Sequence, residues 1–378
     1  MGSTYDYFAG GLGVEKTYVE QLKAQVKEVE KGAAQGLKDF SDNINKVDDI
    51  LKEMSTKQSY VDSTHKTVIA KINDETVTLQ MYLKANNVDE HYRGKSANEA
   101  DFEHIRPPYG FLYQGNQTDA QFAETSAKLL RDKIIEVGAD KIAAFIAEPV
   151  QGAGGVIIPP DGYFKHIQKI CTEFDILFIA DEVITGFGRT GNWFASQTMN
   201  LTPDLVTLAK GLTSGYVPMS AVLVSDKIAS HLIEEGGEFY HGFTYSGHPV
   251  SAAVALANIE LIETEGLIEH VRDITAPYLA SAIKQLDSHP LVGQTRSFGL
   301  LACVELVRHK SGPVLFDPVG AVGTKCRDHA INNGLMVRAV RDGMILSPPL
   351  SFQVQDIDIT IYKLKQALDA TYAEIGNG

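Results

Sequence analysis

The sequence predicts an α/β fold built on a mostly parallel sheet, and three observations carry that prediction. Ile176–Ala180 is an unbroken apolar run and Leu205–Ala209 is nearly one; strands this apolar suit a sheet covered on both faces. Helical stretches at Ala120–Val137 and Tyr163–Phe174 precede strand-like Lys141–Glu148 and Ile176–Ala180, the alternating order of an α/β fold. Each run also ends in groups suited to chemistry. Asp181–Glu182 is followed by the turn Gly186–Phe187–Gly188, and Lys210 is followed by Gly211–Leu212–Thr213–Ser214–Gly215. In a parallel sheet, such groups gather outside the carboxyl ends of the strands.

Taken in order, residues 1–14 hold Gly10, Gly11 and Gly13 and suggest a flexible lead-in. From Val19 through Leu22, Val29, Leu37 and Leu51 to Met54, apolar residues recur three or four apart. This is a heptad seam with one four-residue insertion near Ala33–Leu37. Both an amphipathic helix packed on its own chain and a self-associating coiled coil suit it. Thr67–Leu83 fits a hairpin around Asn73–Asp74 or a continued helix equally well. Polar Asn86–Glu99 marks a boundary, which divides the chain into a helical segment 1–98, a large domain 99–270 and a small domain 271–378.

Beyond that boundary, Pro107–Pro108 imposes extended backbone. Ala120–Val137 predicts a helix with Phe122, Ala127, Leu130, Ile134 and Ile135 on one face. Lys141–Glu148 predicts a strand, Tyr163–Phe174 a helix, Met219–Val224 a further buried strand and Pro249–Glu263 a long apolar helix. In the last hundred residues, Pro277–Leu286, Val319–Asn333 and Ile357–Ile375 predict helices. Leu300–Leu306, Leu335–Ala339 and Met344–Leu346 predict strands.

Composition narrows the class. The chain has 378 residues, 44% hydrophobic and 22% charged, which fits a globular protein of two or three domains. A net charge of −14 argues against a nucleic-acid footprint. No apolar run approaches the ~20 residues of a membrane helix. MGSTYDYFAGG lacks the basic region and apolar core of a signal peptide. Cys171, Cys303 and Cys326 are too scattered for a disulfide framework, and no metal-ligand spacing is visible. A reducing cytoplasm is the expected location.

Four motifs occur in order: AFIAEPVQGAGGVIIPP, ILFIADEVITGFGRTG, PDLVTLAKGLTSGYVPMSAVL and HGFTYSGHPVSAAVALANIE. Together they resemble the class III (omega-type) aminotransferases, from about Asp101 to the C-terminus. The resemblance implies a fold type I transferase, whose large-domain sheet is incomplete on its N-terminal side here, with a small C-terminal α/β domain. It also implies pyridoxal 5′-phosphate as cofactor and transamination between an amine or omega-amino acid and a keto acid. Two upstream family features, a Ser-Gly-Ser/Ala-Glu-type phosphate loop and an aromatic-His-Gly segment, are not legible in the first hundred residues. Ser96–Ala97–Asn98–Glu99–Ala100 carries a faint likeness to the first. The alternative is therefore an impaired aminotransferase body serving as a scaffold through its helical segment.

The resemblance also assigns expected roles. Lys210 would hold the cofactor aldehyde and later move a proton. Asp181 would hold the protonated pyridine nitrogen, and Val183 would pack on a ring face. Glu182, on the other side of the strand, is expected to be structural. Thr244 matches the threonine that reaches the phosphate of the neighbouring subunit, which implies a homodimer or higher oligomer. Glu148 matches a glutamate near the cofactor hydroxyl and the substrate. Arg338 matches a mobile arginine that can grip a carboxylate with two parallel hydrogen bonds. Arg341 stands where the family commonly has Gly.

Overall fold

The computed structural model describes residues 102–234, 236, 242–310 and 314–376. The heptad segment, the Thr67–Leu83 choice, the Ser96–Ala100 likeness and the whole of 1–98 lie outside the described residues.

Two sheets organise the described chain. In the first, β1 (Ala144–Ala147), β2 (Leu177–Asp181), β3 (Leu205–Leu208) and β4 (Ala221–Val224) lie in that order. β1, β2 and β3 are parallel, and β4 closes the edge antiparallel. Helices α1 (Asp119–Val137) and α2 (Tyr163–Glu173) cover one face, against Phe178 and Ala180. On the other face, Leu177 and Ile179 pack with Ala229 of α3 (Asp226–Glu234). Every side chain of β2 before Asp181 is therefore buried, which is why that strand is apolar throughout rather than alternating.

Local sequence explains where the elements start and stop. Thr118 and Gln121 form a reciprocal capping box at the start of α1, with bonds of 3.3 and 3.0 Å. Gly138, at φ +99, ends the helix, and a 3-10 turn, Ala139–Lys141, takes up Lys141, so that the strand expected from there starts at Ala144. On α1 the buried residues include Phe122, Ala127, Leu130 and Ile134, as expected. Ile135 is 66% exposed, because one step of about 100° past Ile134 turns it out to solvent. The Met219–Val224 strand forms, but only Val224 of β4 is fully buried, since an edge strand has a neighbour on one side.

The second sheet has the order β5 (Val292–Phe298), β6 (Leu301–Leu306), β8 (Gly343–Leu346), β7 (Arg338–Val340), antiparallel throughout. In the chain, α4 (Pro249–Thr264) and α5 (Ala276–Ile283) come between the strands of the two sheets, and α5 packs in the core of the second. α5 is entered by a π turn, Val271–Thr275, and left by a 3-10 turn, Lys284–Ser288. α6 (Ala321–Asn332) and α7 (Val354–Gly376) complete the layer on this sheet, with Cys326, Ala330, Leu364 and Leu368 in its core. The strand expected at Leu335–Ala339 starts at Arg338, and β5 and α3 were not foreseen. Among the described residues, no helix is long and apolar enough to cross a membrane. All three cysteines are buried and free.

Candidate active site

β2 and β3 are parallel neighbours with Asp181 in register with Thr207, so their carboxyl ends open on the same edge of the sheet. The Asp181 carboxylate accepts a hydrogen bond from Val183 N at 3.1 Å, which fixes its direction. Glu182 points the opposite way and is fully buried. It accepts from Ala195 N and Ser196 N at 2.8 and 2.6 Å, and from the hydroxyls of Ser196 and Thr185 at 2.7 and 2.6 Å. That is the structural role expected of it.

Three residues beyond Thr207, Lys210 leaves β3 with a left-handed backbone at φ +41. A three-residue 3-10 turn, Lys210–Leu212, follows. Gly211 lies so close to Phe187 that a Cβ there would stand 2.9 Å from the Phe187 Cβ. Glu148, one residue past β1, accepts from Gly152 N at 2.9 Å. Burial pushes the Glu148 carboxyl up from its usual 4.5; the Gly152 N–H opposes this, Asp181 adds to it and Lys210 opposes it. Asp181 and Lys210 therefore both lie within electrostatic reach of Glu148.

A cleft of about 1210 Å³ opens over these strand ends. Val183, Ile184, Lys210 and Arg338 line it, with Gly152 of the Gly152–Gly155 loop. Gly152 is closed down on Ile184, where a Cβ would stand 2.6 Å from Ile184 Cδ1. Arg338 is the first residue of β7 and is exposed. Thr244 lies on an exposed turn, residues 244–247, and is not among the residues that line the cleft. Behind Arg338, Arg341 is left-handed at φ +54, the conformation that Gly at this position would favour. The Asp342 carboxylate caps the start of α6, accepting from Gly320 N and Gly323 N at 2.8 Å each.

Sequence reading missed three parts of this site. Asn258 of α4 lines the cleft and bonds to the turn after Lys210; its only signal was a lone amide inside the apolar run AVALANIELI. Arg189 also lines the cleft and donates to the carbonyls of Leu300 and Pro348; burial lowers it to about 10. Arg296 of β5 reaches the loop after Glu148, donating to Val156 O at 2.8 Å and to Gly155 O. No periodicity marked those last two arginines.

The model of the class-III aminotransferase family matches residues 78–368, beginning upstream of Asp101, where the motif likeness starts. The putrescine–pyruvate aminotransferase of Pseudomonas aeruginosa is 52% identical over 272 residues, which are 72% of this chain and 59% of that protein. The chloroplastic gamma aminobutyrate transaminase 3 of Solanum lycopersicum is 42% identical over 272 residues, 70% of this chain and 51% of that protein. The solved omega transaminase from Pseudomonas jessenii in complex with PMP superposes with a TM-score of 0.71 at 39% identity, covering 76% of this chain and 64% of that one. The chain thus spans between half and two thirds of the length of these relatives. A family match over most of its length places the chain among the class-III aminotransferases, whose cofactor is pyridoxal 5′-phosphate.

Proposed function

We propose that this chain carries the reaction centre of a pyridoxal-phosphate-dependent transaminase, acting between a primary amine or omega-amino acid and a keto acid. One observation carries the reading: an amine, Lys210, that lines the cleft and a carboxylate, Asp181, stand at the ends of adjacent parallel strands. The donor set fits the ring end of the cofactor, with a carboxylate for the ring nitrogen, a lysine for the aldehyde and Val183 as an apolar wall. At the phosphate end the candidate is Thr244, on its exposed turn. Bound there, the cofactor would supply an electron sink for bond breaking at the amine-bearing carbon.

The residues of the chain would supply the rest. Asp181 would keep the ring nitrogen protonated through its charge. Lys210 Nζ would hold the aldehyde and, once displaced by the substrate amine, carry the proton between carbons. Glu148 would brace the Gly152 loop and face the incoming substrate. Arg338, exposed at the head of β7, would grip a substrate carboxylate with two parallel bonds. Relatives named for putrescine and gamma aminobutyrate both take a terminal primary amine, which supports an omega-amine donor and pyruvate as a keto-acid acceptor.

The proposal includes a homodimer in which Thr244 serves the neighbouring subunit. It is supported by the exposed Phe243 and Tyr245 that flank Thr244, and by exposed Leu256 on α4. We place the large domain at 99–270 and the small one at 271–378. The buried free thiols suit a reducing compartment such as the cytoplasm.

Borohydride reduction of the protein with added pyridoxal phosphate tests the reading. Label is expected on Lys210 by peptide mass analysis, and transfer from putrescine to pyruvate should be lost in Lys210→Ala. Label elsewhere, or none, would leave the scaffold alternative standing.

A further inference from the structure

Helix α4 is apolar along most of its length, yet it carries one amide near its middle. Asn258 shares a face with Ala255 and Ile262, at spacings of three and four, and both of those are buried. Its Nδ2 donates to two successive carbonyls, Gly211 O at 2.8 Å and Leu212 O at 3.1 Å. Its Oδ1 accepts from Ser214 Oγ at 2.6 Å. The amide thus grips the residues that follow Lys210, and the Ser214 hydroxyl fixes which way it faces.

That turn needs an outside support. Lys210 and Ser214 both adopt left-handed backbone, at φ +41 and +48, which is costly for any residue with a Cβ. A three-residue 3-10 turn has too few internal bonds to impose such a conformation. The close fit of Gly211 against Phe187 sets the position of the turn but not its hydrogen bonding. The pairing of one donor group with two carbonyls, and one acceptor with a hydroxyl, is met by an asparagine. Leucine would fill the volume and leave both carbonyls without a donor. Ionised aspartate would aim an oxygen at them.

We propose that Asn258, oriented by Ser214, is a positioning residue for Lys210. By holding the carbonyls of Gly211 and Leu212, it sets the direction in which the lysine leaves β3 and presents its amine to the cofactor aldehyde. The inference rests on the reading of Lys210 as the attachment residue. It reaches beyond that reading, because it assigns the geometry of the lysine to a helix more than forty residues away in the chain.

The test mixes wild type, Asn258→Leu, Asn258→Asp and Ser214→Ala with pyridoxal phosphate, quenches with borohydride at timed intervals and counts label on the Lys210 peptide. Thermal unfolding of the unloaded proteins is followed alongside. Of the three hydrogen bonds that Asn258→Leu removes, the two to the turn carbonyls hold Lys210, and their loss should slow labelling by about ten- to a hundredfold. Asn258→Asp should be as slow at neutral pH and recover relative to wild type on acidification, as its carboxyl gains a proton to donate. Ser214→Ala, which only loosens the orientation, should slow it less. Asn258→Asp is isosteric and keeps the packing, so with its carboxyl protonated at acidic pH it should unfold close to wild type; if Asn258→Leu does not fold, the pH profile of the aspartate variant decides. Wild-type labelling rates in the Asn258 variants, or an aspartate variant slowed equally at every pH, would overturn the inference. A wild type that takes no label on Lys210 would instead remove the proposed function and this inference with it.

Discussion

Glu148 sits in a half-buried position whose burial its one backbone donor offsets only in part, and the sign of the consequence follows from its raised pKa. The folded protein holds that proton to higher pH than the unfolded chain does. Between the usual 4.5 and the raised value, the folded state binds more protons, so stability falls as pH rises through this window and stays lower above it. Below the usual value both states are protonated and the group costs nothing. Glu148→Gln keeps an acceptor for Gly152 N and removes the charge. In the cofactor-free protein it should therefore raise the unfolding temperature at about pH 7 and leave it unchanged near about pH 4. Calorimetry across that range reads this directly. An equal shift at both ends would mean that packing, not ionisation, sets the cost.

At the scale of elements, β5 and β6 are tied to the loop after Glu148 through one buried cluster. Arg296 pairs with Glu305 at 2.8 Å, and both side chains are about a tenth exposed. Tyr109 donates to the same Glu305 oxygen at 2.6 Å, and the Arg296 guanidinium lies 5.0 Å from the Tyr109 ring. Arg296 also holds the carbonyls of Gly155 and Val156, next to the Gly152 wall of the cleft. Arg296→Met leaves Glu305 buried without a cation and should destabilise the protein by roughly 3–5 kcal/mol. Adding Glu305→Gln removes the stranded charge yet keeps an acceptor for Tyr109, so part of that loss should return. Urea unfolding of the single and double variants decides. A double variant no more stable than Arg296→Met would show that the loop contacts, rather than the ion pair, dominate.

For the whole molecule, the two faces of α4 carry different burdens. Ala255, Asn258 and Ile262 face the Lys210 turn and the core, whereas Leu256 and Leu261 are 69% and 49% exposed. An apolar helix face of this kind needs a cover in water. The proposed homodimer supplies one, and it would bring the Thr244 turn of one protomer to the cofactor of the other. A stable interface of about 800 Å² per partner is centred on such residues. Leu256→Glu should therefore lower the mass measured by light scattering towards that of one chain, without altering the fold read by circular dichroism. An unchanged mass would remove α4 from the interface.

The sequence alone was enough to announce the central strands of the first sheet and the candidate residues that end two of them. Strands covered on both faces must be apolar throughout, so Ile176–Ala180 and Leu205–Ala209 announced themselves, and Asp181 and Lys210 were marked by ending those runs. Four linked motifs carried the family. Elements that are only partly covered were less legible. β5, with the sequence VGQTRSF, is an edge strand whose polar residues read as loop, because its arginine is satisfied by partners 140 and 141 residues distant. Ile135 fitted the apolar pattern of α1 and still faces solvent, since period alone does not say where the covered stripe ends. Tertiary structure alone decided that Asn258 meets the Lys210 turn and that Arg296 meets Glu305. Long-range hydrogen bonds leave no periodic trace: a polar residue in an apolar helix shows only that some partner exists, and the fold determines which.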